Sequence, residues 1–160
     1  SRHCARTSNC QEFYTGITSA AFTLCLKNKK TAFTDSCIVN KFSEILSSVV
    51  MKGNCIAPVY CFMPNHQHII ITGMQNDSDI LKTLISYKQK TGYWMSKNRP
   101  DLEWQKDFYD HVIKEKNMVP IQVKYILNNP VRKGLSVNWE DYPYKGSIGI
   151  ELKDVLTGII

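Results

Sequence analysis

Residues 55–72 read CIAPVYCFMPNHQHIIIT, two apolar runs joined across one proline and one asparagine. Runs of this length that are rich in β-branched and aromatic residues predict strands, here 55–63 and 66–72. The link Pro64-Asn65 between them is short enough to predict an antiparallel hairpin. The rest of the chain is expected to assemble around this hairpin.

Two histidines open the second arm of the hairpin. Because side chains alternate between the faces of a strand, we expect His66 and His68 on one face and Gln67 on the other. Two imidazoles a few ångströms apart on one face can share a divalent metal ion. A pair of polar side chains on a solvated strand face explains the same residues, so both interpretations stay open at this point.

Outward from the hairpin, apolar runs typical of strands alternate with apolar residues at helical spacing. Further strands are predicted at 21–26 and 108–113, and helices at 38–49, 80–94 and 120–128. Caps are expected at Asp35 or its neighbours and at Asp77-Ser78. The order β-α-β-β-α-β-α is the ferredoxin-like, split βαβ layout with one helix added. We therefore predict an α+β fold, an antiparallel sheet with helices on one face plus an extra C-terminal helix.

Composition and cysteine use limit the class of protein. The chain has 160 residues, 43% of them hydrophobic and 21% charged, which suits one globular domain and is too apolar for a disordered chain. No run approaches the roughly 18 apolar residues of a membrane span, and the polar N-terminus predicts no secretory signal. The six cysteines include no C-x-x-C pair, which disfavours a zinc ribbon and indicates a cytoplasmic protein. Cys4 and Cys10 beside His3 are better explained as a frayed terminus than as a metal site.

The charge balance favours an acidic partner. Lys and Arg number 20 against 14 Asp and Glu, a net charge of +6, and nucleic acid is the commonest partner of such proteins. Basic and aromatic residues interleave on the second predicted helix, a pattern that suits single-stranded nucleic acid, although a solvated helix face explains it equally. The cations concerned are Lys82, Lys88, Lys90, Lys97 and Arg99 on that helix, and Lys27, Lys29 and Lys30 in a turn.

The third predicted helix carries Tyr125 and, four residues later, Asn129. Residues at this spacing share a helix face, so a carboxamide and a phenol would lie one turn apart. The amide oxygen can complete a His-His-Asn metal site, and the phenol can attack a metal-polarised phosphorus. A buried helical aromatic followed by a C-terminal cap explains the same two residues more simply, and the residues alone do not separate the two.

Five collinear motifs run along the chain: CFMPNHQHIII at 61–71, LISYKQ at 84–89, WQKDFYDHVI at 104–113, YILNNPVRKGL at 125–135 and WEDYPY at 139–144. They resemble those of the single-tyrosine HUH transposases, and the last two are most typical of the REP-associated tyrosine transposase branch. The resemblance spans roughly residues 20–147. It implies a segment 1–19, a HUH transposase-like catalytic domain 20–147 and a tail 148–160.

The resemblance implies an enzyme with assigned site residues. His66, His68 and Asn129 match the family's metal ligands for Mg²⁺ or Mn²⁺, and Tyr125 matches its nucleophile. Such enzymes cleave single-stranded DNA beside hairpins, form a 5′-phosphotyrosine link and release a 3′-hydroxyl that can rejoin a strand. The implied partner is single-stranded DNA with hairpin or palindromic structure, bound by a monomer or homodimer in a bacterial or archaeal cytoplasm, near the nucleoid.

Two departures and two alternatives accompany this resemblance. Gln67 stands where the family usually has an apolar residue, and residues 144–147 read YKGS rather than the family's closing pattern.

One alternative is a domesticated protein that binds hairpin DNA or RNA without cutting it. The other is a small metal-dependent hydrolase of free nucleotides, which leaves Tyr125 and the basic helix unexplained. His111 receives no role, and a hydrogen-bonded strand histidine or a DNA contact would account for it.

Overall fold

Five antiparallel strands form one sheet in the computed structural model, which describes residues 12–158. They are β1 Ser19–Cys25, β2 Cys55–Met63, β3 His66–Gly73, β4 Tyr109–Ile113 and β5 Lys145–Ile148. The sheet order is β4-β1-β3-β2-β5. Its first four strands are arranged as the split βαβ layout requires, and the predicted α+β fold is confirmed.

The helices flank this sheet. They are α1 Ser36–Lys52, α2 Ile80–Asn98, α3 Val119–Leu127, α4 Asn129–Arg132 and α5 Leu152–Leu156, with 3₁₀ turns at Glu12–Tyr14, Lys27–Lys29 and Lys116–Met118. Within residues 12–158, no helix has the length and apolar character that crossing a bilayer demands. The predicted frayed terminus with His3, Cys4 and Cys10 lies outside the described residues.

Strand alternation divides the core into two layers. One face of the sheet sends Phe22 and Ile69 into a cluster with Phe42 of α1 and Leu84 of α2. The opposite face packs against α3 and α5, where Val123 and Val155 are buried among residues of β2 and β3. The added C-terminal helix therefore covers the face that the two earlier helices leave free.

The helix starts follow from local capping. Asp35 caps α1, its carboxylate accepting from the Cys37 amide at 2.9 Å, which confirms one of the predicted caps. The prediction of Asp77-Ser78 as the cap of α2 is wrong, because Asp79 has the extended backbone and accepts from the Lys82 amide at 2.9 Å. Ser78 instead donates to the carbonyl of Asn54 at 2.8 Å and ties the start of α2 to the turn before β2.

The C-terminal third contains more structure than the sequence pattern predicts. Proline has no amide hydrogen to continue a helical ladder, so α3 ends at Leu127 and Pro130 lies in the first turn of the separate helix α4. Beyond it, β5 pairs with the outer edge of β2 and α5 packs on the same face as α3. The helix α5 lies in the predicted tail 148–160, and β5 lies mostly before it, where no element is predicted.

Candidate active site

The register of the sheet sets the position of the two histidines. His66 pairs with Cys25 of β1, and His68 pairs with Thr23 of the same strand. The two rings lie on one face with centroids 4.9 Å apart and planes nearly perpendicular, at 89°. This spacing allows both imidazoles to reach one metal ion, as the His-x-His pattern predicts.

Neighbouring side chains orient each ring through Nδ1. The Nδ1 of His68 lies 2.9 Å from the Thr23 hydroxyl oxygen. The Nδ1 of His66 lies 2.6 Å from the side-chain oxygen of Asn65, which can only accept, so this nitrogen carries the proton and Nε2 has a free lone pair. Partners of this kind fix the tautomer and direction of metal-binding histidines.

The electrostatic surroundings keep both rings neutral near pH 7. Burial, and then the positive charge of Lys133, lower the pKa of His66. Burial lowers the pKa of His68 to about 4, with further contributions from His66 and Arg132. Neutral imidazole is the protonation state in which a histidine can bind a metal ion.

An open cleft of about 410 Å³ brings three of the predicted site residues together. His68 lines it from the sheet, and Tyr125 and Asn129 line it from α3 and the start of α4. The Tyr125 side chain is 64% exposed, so the interpretation of a buried helical aromatic does not hold. The Tyr125 phenol is therefore accessible to solvent in the same cleft as His68.

Arg132 connects the phenol to the carboxamide, and the sequence analysis assigned it no role. Its guanidinium lies 3.9 Å from the centre of the Tyr125 ring and donates to the Tyr125 carbonyl at 2.8 Å. The same nitrogen donates to the side-chain oxygen of Asn129. Its spacing of three residues from Asn129 and seven from Tyr125, which places all three on one helical face, is the signal that would have found it.

The donor set fits a divalent cation bound by nitrogen and oxygen. Two neutral imidazoles and one amide oxygen would hold it, with open positions for water and phosphate oxygens. Among residues 12–158, no group of three or more His, Cys, Asp or Glu side chains forms an alternative site. Arg132 donates to the oxygen of Asn129, so one of the two lone pairs of that oxygen is occupied and a positive charge lies beside it.

The predicted DNA-binding cations fall into two separate groups. The turn Lys27–Lys29 follows β1 at the end of the sheet where His66 lies, and the amide of Leu26 bonds to the carbonyl of Asn65. Helix α2 lies on the opposite face, because its Tyr87 contacts Gln67, whose side chain points away from the histidine pair. The turn Lys27–Lys29 therefore lies at the same end of the sheet as His66, whereas α2 lies on the opposite face.

Two of the cations on α2 are already engaged by the protein itself. Lys88 donates to the carbonyl of Lys106 at 2.5 Å and lies over the Phe108 ring. Arg99 forms an ion pair with Asp101 at 3.0 Å. Lys82 and Lys90 are exposed, and so is Lys97, whose ammonium lies 5.5 Å from the centre of the Tyr93 ring.

Comparisons with known proteins find a matching family and two similar proteins. A family model described as "Transposase IS200 like" matches residues 18–129. A Haemophilus influenzae protein assigned as a REP-associated tyrosine transposase is 26% identical over an alignment of 135 residues that covers 77% of this chain and 76% of that protein. The structure of a REP-associated tyrosine transposase bound to a REP hairpin matches with a TM-score of 0.70 at 21% identity, covering 82% of this chain and 78% of the other. This structural similarity shows a shared fold.

Proposed function

The chain belongs to the IS200-like transposase family, and we propose that it cleaves and rejoins single-stranded DNA beside hairpins, using Tyr125 as nucleophile. The observation that carries the proposal is the cleft shared by His68, Tyr125 and Asn129. A structurally similar transposase is described as bound to a REP hairpin, which supports hairpin DNA as the partner here.

The proposed reaction is a transesterification that conserves the energy of the phosphodiester. The Tyr125 oxygen attacks the scissile phosphorus, and the bond from phosphorus to the 3′ oxygen breaks. The phenol loses one proton, and the released 3′ oxygen gains one to become a hydroxyl. The DNA 5′ end stays linked to Tyr125 until a 3′-hydroxyl attacks the same phosphorus in reverse. No nucleotide cofactor is needed, because the phosphotyrosine link conserves the free energy of the broken phosphodiester bond.

The proposed metal site uses Mg²⁺ or Mn²⁺ held by His66, His68 and Asn129. When bound, such an ion neutralises charge on the phosphoryl oxygens and orients them for in-line attack. Thr23 and Asn65 keep the two rings in position through their Nδ1 atoms. The exposed phenol of Tyr125 then lies at the open side of the cleft, where a single strand can approach.

The test is to incubate the protein with hairpin-bearing single-stranded DNA and Mn²⁺ and to look for a protein–DNA adduct that survives denaturant. We expect an adduct with wild type and none with Tyr125→Phe. Tyr93→Phe serves as a matched control, since Tyr93 is a similarly exposed tyrosine on α2. His66→Ala should abolish the adduct while largely preserving hairpin binding.

One result would replace this proposal. If wild type binds cognate hairpins but yields no adduct on any flanking sequence with either metal, a non-cleaving hairpin-binding protein becomes the better description.

A further inference from the structure

One half of the sheet face that carries the histidines is partly open to solvent. Helix α3 packs mainly over β2 and α5, and on the β1–β4 half its cluster buries Ile113 and part of Ala21 but not the rest of β4. His111 of β4 is exposed there, and Tyr109 of the same strand is 49% exposed. Both residues line the cleft that also contains His68 and Tyr125.

The strand register shows which residue lies at the bottom of this half of the face and how far Tyr109 lies from the histidines. Ala21 of β1 pairs with His111, and its small side chain leaves a depression between the taller neighbours. Thr23 pairs with both His68 and Tyr109, so these three residues form one row across three strands. Two strand spacings, about 10 Å, separate the backbones of His68 and Tyr109. A strand whose phosphate lies at the histidines therefore carries a neighbouring nucleotide over Tyr109.

The lining combines apolar walls with a few polar groups. Ile121 of α3 is 58% exposed and faces the same cleft as the Tyr109 ring. Gln122 and His111 supply hydrogen-bonding groups at its margin. An unpaired nucleobase has the same combination, since it presents two apolar faces for stacking and a polar edge.

We infer that this cleft is a subsite for one unpaired nucleobase next to the scissile phosphate, in which Tyr109 stacks on the base and Gln122 and His111 contact its edge. The inference rests on the proposed function, which identifies the bound strand as single-stranded DNA. It gives His111 a role and makes Gln122 the residue that sets base preference at this position. An amide offers both a donor and an acceptor, so changing it should alter which base is preferred.

The test measures binding without chemistry. Short single strands carrying one abasic site at each position in turn are titrated, in EDTA, against Tyr125→Phe protein, which keeps the ring but lacks the nucleophile. We expect one position beside the cleavage site at which loss of the base weakens binding about tenfold, the effect of losing one stacked base. Adding Tyr109→Ala should weaken binding to intact DNA by the same factor and remove the sensitivity at that position.

Two further variants separate stacking from general destabilisation. Tyr109→Phe should bind like the parent, because the ring is kept, and Gln122→Leu should bind with a changed preference among the four bases. Tyr93→Ala removes an exposed tyrosine on the opposite side of the sheet and should leave the abasic profile unchanged.

The outcomes distinguish this inference from the proposed function. A flat abasic profile, or a Tyr109→Ala profile identical to the parent, overturns the base subsite even if wild type forms adducts. A position-specific profile with no adduct under any condition upholds the subsite and overturns the cleavage reaction. If a second copy of the chain occupies the cleft instead, Tyr109→Ala will change the oligomeric state and not the profile, which also overturns the inference.

Discussion

Arg132 stabilises the arrangement of side chains that the candidate active site has without a metal ion. Its guanidinium contacts the Tyr125 ring and bonds to Asn129, and its charge helps to keep His68 unprotonated. A phosphate of the incoming strand is a stronger partner for a guanidinium than a neutral amide oxygen. We therefore expect DNA to draw Arg132 away and free the Asn129 oxygen, so that DNA and metal bind more tightly together than separately.

Removing this arginine should favour the metal in the absence of DNA. Arg132→Gln deletes one positive charge near the ligands and the bond to Asn129, so we expect Mn²⁺ to bind about fivefold more tightly, since such a charge is worth about 1 kcal/mol near a surface. Titration calorimetry of DNA-free protein measures it. Lys124→Gln, an exposed cation of α3, is the control. Weaker Mn²⁺ binding by Arg132→Gln would show that Arg132 supports the metal site rather than competing with it.

The buried imidazole of His68 should make the metal-free protein sensitive to acid. Its pKa is about 4 in the folded protein against an ordinary value of 6.5, so between these values the unfolded chain binds a proton that the folded protein does not. Stability is therefore unaffected above pH 6.5 and falls as the pH drops toward 4, by on the order of 2–3 kcal/mol.

Urea denaturation in EDTA across this pH range measures the effect. His68→Gln should flatten the decline, because the titrating ring is gone. His111→Gln removes an exposed imidazole from the same sheet and controls for the loss of a histidine as such. A decline that is equally steep in His68→Gln would assign the acid sensitivity to other groups.

At the scale of elements, β3 and α2 are joined by a buried polar pair on the side away from the histidines. The Tyr87 hydroxyl donates to the side-chain oxygen of Gln67, and both residues are fully buried. The Gln67 amide nitrogen has no hydrogen-bond partner among residues 12–158. Tyr87 thus accommodates the departure at Gln67 on the face of the sheet away from the histidines.

A double-mutant cycle should show that these two residues depend on each other. Tyr87→Phe leaves the Gln67 amide buried without a partner, and Gln67→Leu does the same to the Tyr87 hydroxyl, so each should cost about 1–3 kcal/mol of unfolding free energy. The double variant should cost less than the sum, because no buried polar group remains unpaired. Chemical denaturation measures all four proteins, and strict additivity would contradict the coupling.

Elements whose own sequence has a strong strand or helix pattern could be predicted. Elements that form only because a neighbouring strand is available for pairing could not. The bounds of β2 match the predicted strand 55–63 because its apolar run ends at a proline and an asparagine. The strand β5 has only four residues, one of them glycine, and forms because the edge of β2 is free to pair with it. The break between α3 and α4 follows from Pro130, yet the sequence does not show that the chain resumes as a helix.

For the whole molecule, the same contrast between local patterns and long-range packing explains which parts of the candidate site the sequence predicts. Strand alternation places His66 beside His68, and helical spacing places Tyr125 beside Asn129, so each pair follows from local geometry. The meeting of His68 with Tyr125 and Asn129 in one cleft depends on which face of the sheet α3 covers, and the motif resemblance rather than the periodicity indicated it. The same choice of face separates the cations of α2 from the site, which no local pattern reveals.

This two-sided distribution of charge predicts that the two groups of lysines act on different parts of the DNA. A short single strand without a hairpin should contact only the face with the histidines and the turn at its edge. Replacing Lys27, Lys29 and Lys30 by glutamine should reduce the slope of log affinity against log salt by up to about 2, at about 0.7 per phosphate contact. The ion pair of Lys27 with Glu103, at 3.3 Å, lowers its share.

The matched control is the triple replacement Lys82→Gln, Lys90→Gln and Lys97→Gln, which removes the same charge from the opposite side of the sheet. It should leave the slope for the short strand unchanged, because a strand held at Tyr125 does not reach α2. On hairpin DNA, whose duplex arm can extend around the sheet edge, the α2 set should lower the slope as well. Equal losses on the short strand would mean that single-stranded DNA crosses the α2 face, and would contradict a strand path confined to the face that carries the histidines.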